Sequence, residues 1–148
     1  MRPTQKRDWL LALLYAKGKE PIDSEVRLMK ELFIIRKGLS NVDDSQFYQF
    51  VPYLYGPCSF EVYKDISRLE REGLILRKLD KNKRWSVFSI TERGSDYIES
   101  MGGNIPKVVE DVKKTLNAIP FIELLRWVYE KYPHFAEKSI LRHAIMGD

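Results

Sequence analysis

The stretch 56–94, GPCSFEVYKDISRLEREGLILRKLDKNKRWSVFSITERG, constrains the fold more than any other part of the chain. Val62, Ile66 and Leu69 recur at helical spacing, while Glu61, Lys64, Asp65, Arg68 and Arg71 fall on the other faces. The spacing predicts a helix that opens after Gly56-Pro57, with Ser59 placed to accept hydrogen bonds from the first-turn amides. Gly73 follows the last periodic residue, where a chain leaves a helix through a left-handed conformation, so the helix is expected to stop near Glu72. Two runs of strand-forming residues come next, 74–79 and 84–90, and Asp80-Lys81-Asn82-Lys83 between them has hairpin-turn chemistry. Thr91 then sits at an N-cap position, with Glu92 in the first turn and Gly94 permitting close backbone approach.

Helix, Gly-Leu-Ile turn, basic-tipped hairpin and helix is the order of the second half of a winged helix. Leu69-Glu70-Arg71-Glu72-Gly73-Leu74-Ile75 and Ser89-Ile90-Thr91-Glu92-Arg93-Gly94 resemble the recognition helix and wing of MarR-type and PadR-type regulators. A wider resemblance takes in Arg27-Leu28-Met29-Lys30-Glu31-Leu32-Phe33, Phe50-Val51-Pro52-Tyr53-Leu54-Tyr55-Gly56-Pro57 and 123–133, ELLRWVYEKYP. These segments are similar to the YwgA family and, more distantly, to the Panacea domain of SocA-like antitoxins. The resemblance implies a mainly α, α+β chain: a winged helix-turn-helix with a long interhelix insertion and a C-terminal helical extension. The expected division is a winged-helix domain over 1–101 and an extension over 102–148, packed on it or on a second subunit.

Charge is distributed unevenly. Arg77, Lys78, Lys81, Lys83 and Arg84 against Asp80 alone give the segment 77–84 the chain's whole formal net charge of +4. A hairpin tip with several cations can neutralise phosphates and release their counterions. The alternative is a solvated edge, since lysine and arginine also guard strands against pairing with other chains. With 44% hydrophobic and 31% charged residues the chain is globular rather than disordered, and no apolar run approaches the roughly 20 residues that cross a bilayer. Basic residues followed by the apolar run 10–15 superficially resemble a signal peptide, but Asp8 interrupts the start and no small-residue cleavage site follows. The expectation is a structural helix in the cytoplasm and no membrane partner. Cys58 is the single cysteine, which excludes an internal disulfide; it reads as a small residue filling a helix start or as a redox-sensing thiol.

Along the chain, Arg2, Lys6 and Arg7 precede a first helix ending before Gly18, and read as a solvated terminus or a phosphate-touching arm. Asp23 or Ser24 can cap a second helix running to about Gly38, with Arg27 and Lys30 as solvated interruptions of its apolar surface. The connection 39–58 is far longer than the three or four residues of an ordinary helix-turn-helix. Its aromatic residues Phe47, Tyr48, Phe50, Tyr53 and Tyr55 predict a short strand against the basic hairpin, packed beneath the recognition-like helix; a base-stacking platform or a partner's anchor is the alternative. After Gly102-Gly103-Asn104 the pattern is helical: Ile105, Val109, Val112 and Leu116; then Leu124, Leu125, Val128 and Tyr132 behind Pro120; then Ile140, Leu141, Ala144 and Ile145.

No nucleophile with a base, metal cluster or phosphate loop is visible, so no enzyme, metal or cofactor is implied. His134 and His143 lie nine residues apart, not at the spacing that aims two ligands at one metal. The first functional reading is a double-stranded-DNA binder, a transcription regulator, with Ser59, Lys64, Arg68 and Arg71 on the groove-entering helix. Arg77, Lys78, Lys81, Lys83 and Arg84 would contact phosphate from the wing. A homodimer would place two wings on one side, matching a palindromic site. Against this stand Glu61, Asp65 and Glu72 on the same helix, because carboxylates near phosphates are repelled. The second reading is a protein-interaction module, an antitoxin or phage-defence accessory, on the same scaffold.

Overall fold

A computed structural model describes residues 1–147. Its elements are α1 (Lys6–Lys19), β1 (Ile22–Asp23), α2 (Glu25–Gly38), β2 (Val51–Tyr53), β3 (Gly56–Cys58), α3 (Phe60–Arg71), β4 (Ile75–Leu79) and β5 (Ser86–Ile90). Then follow α4 (Glu92–Ser100), α5 (Lys107–Leu116), α6 (Phe121–Lys131), a 3-10 turn (Pro133–Ala136) and α7 (Arg142–Met146). The chain is therefore α+β and mainly helical.

Local chemistry sets the element starts. Ser24 Oγ accepts the Arg27 amide at 3.1 Å and caps α2. Thr91 Oγ1 accepts the Gly94 amide at 3.0 Å while donating to the Gly73 carbonyl at 2.6 Å, so one side chain caps α4 and ties it to the turn after α3. That turn closes as expected: Gly73 has φ +75°, and the Leu74 amide reaches back to the Leu69 carbonyl at 2.9 Å. Gly94 is required by packing, because a Cβ there would lie 2.2 Å from the Leu74 carbonyl oxygen.

Val62, Ile66 and Leu69 are buried, each contributing on the order of 2 kcal/mol through burial. They pack with α1, whose residues from Leu10 to Leu14 are all inaccessible to solvent. Asp8 interrupts the apolar run as a buried hub. Its Oδ2 accepts the Thr4 and Gln5 amides at 2.8 and 2.9 Å, and its Oδ1 accepts the Tyr97 hydroxyl of α4 at 2.6 Å.

The main sheet has the order β1-β5-β4, antiparallel throughout, with Ile22 opposite Phe88 and Arg77 opposite Phe88 on the other side. The aromatic connection departs from expectation. Val51–Tyr53 forms no strand against the basic hairpin; it folds on Gly56–Cys58 as a separate two-stranded hairpin, with Pro52 opposite Pro57. Proline is tolerated there because each strand has an unpaired outer edge. Phe47 and Tyr48 do pack inward, and Tyr48 donates to Asp65 of α3 at 2.6 Å, whereas Tyr53 and Tyr55 stay exposed.

Helix α5 lies against α1 and α2, and α6 against α2 and β3. The second core cluster gathers Leu124, Leu125, Val128 and Tyr129 around Phe33. The last apolar face is not realised as one stripe. Of Ile140, Leu141, Ala144 and Ile145 only Ile145 is fully buried, and Ile140 is 63% exposed, because the helix is confined to Arg142–Met146. The largest correction concerns charge: Arg27 and Lys30, placed in water by helical spacing, are buried together with Glu31 and with Lys113 of α5.

Candidate nucleic-acid interface

The exposed side of α3 divides into two stripes by sequence spacing. Glu61, Asp65 and Glu72 form one; Lys64, Arg68 and Arg71, with Tyr63 and Ser67, form a shallow groove on the other. The carboxylates of the first stripe are matched from within the chain. Lys6 Nζ reaches Glu61 at 3.1 and 3.2 Å, and Arg7 grips Glu72 with both terminal nitrogens, one of them at 3.1 Å. The Arg7 guanidinium holds the Glu72 carboxyl below the usual carboxylate range. Asp65 accepts the Tyr48 hydroxyl and lies 3.6 Å from Arg68. Lys6 and Arg7 are thus engaged by α3 and are neither a solvated terminus nor an arm for phosphate.

On the second stripe Lys64 and Arg71 make no ion pair among the described residues, and Arg68 remains 59% exposed beside Asp65. Ser59 is a correction. It occupies the N-cap of α3 but its side chain caps nothing; it is 3% exposed and its amide donates to Met29 Sδ at 3.3 Å. A residue enclosed in this way offers no atom to a duplex.

The β4–β5 hairpin supplies the other cations. Asp80 builds its turn, accepting the amides of Arg84 at 2.5 Å and Trp85 at 3.3 Å. Lys78, Lys81 and Lys83 are exposed and make no ion pair among the described residues. Arg84 is 58% exposed, lies 3.5 Å from Asp80 and stacks over the Trp85 ring at 4.1 Å. Arg77 is a second correction. It bridges Glu25 of α2 at 3.2 Å and Glu70 of α3 at 3.5 Å and covers the Phe88 ring at 5.3 Å, so it is a clamp between elements. Arg77→Ala is expected to lower unfolding stability by about 1 kcal/mol in urea titration, through two half-exposed ion pairs and a cation–π contact. Lys78→Ala should leave it unchanged.

Cys58 lies in β3, 4% exposed, and burial pushes its thiol pKa up. A protonated, enclosed thiol is a poor redox sensor, so the packing reading applies. His134 and His143 are exposed, and no group of three metal-ligating side chains occurs among the described residues.

What spacing missed is the partnering of the α3 carboxylates, since Lys6 and Arg7 lie 55 and 65 residues from Glu61 and Glu72. The one available signal was the run of two cations just before the Asp8 cap. No family model matches this chain, and no curated protein matches it.

Proposed function

We propose that this chain is a winged-helix DNA-binding protein acting as a transcription regulator, with α3 entering the major groove and the β4–β5 hairpin as the wing on adjacent phosphates. The strand order β1-β5-β4, with β1 between the first two helices and the hairpin after the third, supports the winged-helix assignment. The observation that carries the function is the division of charge on α3. Glu61 and Glu72 are charge-matched by Lys6 and Arg7, and Asp65 accepts a hydrogen bond from Tyr48, which weakens the main electrostatic objection to a phosphate backbone nearby. Lys64, Arg68 and Arg71 remain as groove readers, because arginine can donate two bonds to guanine. Lys78, Lys81 and Lys83, with Arg84 at the base, provide the phosphate contacts.

The test is fluorescence anisotropy on labelled duplex DNA at several salt concentrations. Changing Lys78, Lys81 and Lys83 together to alanine should flatten the log–log salt dependence by about 0.9 for each phosphate no longer neutralised, between two and three in all. Weak affinity with an unchanged slope would overturn the reading. The titration's stoichiometry also reports whether a homodimer binds.

One observation favours the second reading, a protein-interaction module of the antitoxin or phage-defence accessory kind. Val51, Tyr53, Leu54 and Phe60 are each more than 40% exposed, and Ile140 is held beside Leu54 by a 2.9 Å backbone hydrogen bond. Exposed apolar clusters of this kind occur at protein interfaces. Failure of the DNA titration would leave this face as the functional one.

A further inference from the structure

Strand β4 is the outer strand of the sheet β1-β5-β4, and its far edge has no partner strand among the described residues. The register to β5 fixes which backbone groups face that edge. The Asp80 amide donates to the Trp85 carbonyl at 2.9 Å and the Thr91 amide to the Leu74 carbonyl at 3.1 Å, so the ladder bonds are set just beyond each end of β4. With Ile75 opposite Ile90 and Leu79 opposite Ser86, alternation gives the bonds to β5 to Leu76 and Lys78. The N–H and C=O of Ile75, Arg77 and Leu79 therefore point outward. Ile75 is enclosed at 2% exposure, but the half of the edge nearest the hairpin tip is open. Leu79 is 61% exposed, Leu76 and Lys78 are exposed on the other face of the strand, and no other backbone group of the described residues bonds to Arg77 or Leu79 from outside.

Charge decides what can pair with this edge. Lys78, Lys81 and Lys83 are exposed without an ion pair among the described residues, and Asp80 is engaged by the amides of Arg84 and Trp85. A second copy would bring an equally basic strand against the first, so the lysines oppose self-pairing. They do not oppose an acidic strand. We propose that the open half of β4 adds an extended acidic segment of a partner protein as an antiparallel fourth strand. Main-chain bonds to Arg77 and Leu79 supply affinity, carboxylates opposite Lys78 and toward Lys81 and Lys83 supply selectivity, and apolar side chains opposite Leu76 and Leu79 bury the exposed leucines. The pairing does not rest on the DNA reading, although it uses the same three lysines and would exclude phosphate from them.

The experiment titrates the acetylated and amidated heptapeptide Glu-Glu-Val-Glu-Thr-Val-Thr into the 15N-labelled full chain at low salt. Set antiparallel, its two valines lie opposite Leu79 and Leu76, and the glutamate between them lies opposite Lys78. The expected result is a set of saturable amide shifts along β4 at submillimolar peptide. Hydrogen exchange should slow about tenfold or more at the Arg77 and Leu79 amides, while Leu76 and Lys78, already bonded to β5, change less. The peptide N-methylated at its first valine and first threonine, whose amides would face β4, should bind about tenfold more weakly or worse, as should a peptide with lysine in place of every glutamate. The unmodified peptide should lose a similar factor on Lys78→Glu and on Leu79→Pro, which removes an outward amide and none of the bonds to β5. Both residues are exposed, so thermal midpoints near wild type confirm folded protein. Three results would overturn the proposal: no saturable shift, equal affinity for the N-methylated or the lysine peptide, or protection that misses Arg77 and Leu79. Peptide binding is read without DNA, so its failure and that of the salt titration are separate results.

Discussion

Lys113→Met is expected to lower the free energy of unfolding by about 3 to 5 kcal/mol at neutral pH, measured by chemical denaturation. Lys113 is inaccessible to solvent, and its ammonium donates to the carbonyls of Leu14 at 3.0 Å and Ala16 at 2.8 Å. Those carbonyls lie where α1 unwinds: Ala16 has ψ 161°, and Lys17 and Gly18 have φ +51° and +60°. The last carbonyls of a helix have no following amide to receive, and they form the negative end of its dipole. A cation delivered from α5 satisfies both needs at once. Methionine retains the apolar stem, so the change removes the charged head while sparing the packing. Burial pushes the Lys113 pKa down to about 8, which measures the opposing cost of enclosing the ammonium. The loss of two buried carbonyl partners exceeds that cost if the variant is destabilised; a Met variant as stable as wild type would show that the two cancel.

The same interaction explains what spacing could and could not reveal. Where a role is set by near neighbours in sequence, the pattern is legible. Ser24 and Thr91 cap helices through amides three residues on, Gly73 turns the chain after α3, and the helical spacing of Val62, Ile66 and Leu69 puts them on one inward face. Arg27, Lys30 and Lys113 each donate to a backbone carbonyl 27 to 99 residues away. A charged residue on an amphipathic helix reads as solvated unless that remote acceptor is known. The β2–β3 hairpin was hidden for a related reason. Gly56-Pro57 reads locally as a breaker before a helix, and only the pairing with Val51–Tyr53 makes it a strand. On the candidate interface, exposure of Lys64, Arg68 and Arg71 follows from helical spacing, but the removal of Arg77 to an internal clamp depends on Glu25, 52 residues earlier.

Glu31→Gln is expected to change how stability depends on pH. Glu31 is fully buried and neither carboxylate oxygen has a hydrogen-bond partner. Burial pushes its pKa from 4.5 up to about 8, against the pull of Arg27 on its own helix and of Lys113 on α5; Glu20 adds to the rise, and Lys17 opposes it. The folded-state value lies above the unfolded one, so the native protein keeps a proton that the unfolded chain releases. Below pH 4.5 both states hold the proton and the side chain contributes no pH dependence. From pH 4.5 to about 8 the unfolded chain ionises alone, and wild-type stability falls by up to about 1.4 kcal/mol per pH unit, on the order of 5 kcal/mol in full. Glutamine matches the neutral acid in shape and does not titrate. The variant should therefore equal wild type near pH 4 and exceed it increasingly toward pH 8. Lys30, pushed down to about 7 by burial, produces the opposite slope, but it is common to both proteins and leaves their difference untouched. Urea unfolding of the pair at half-unit pH steps reads that difference directly. A constant offset across the range would mean that Glu31 is ionised in the native state, held by Arg27 and Lys113 as a charged cluster, and the neutral-acid account of this core would be wrong.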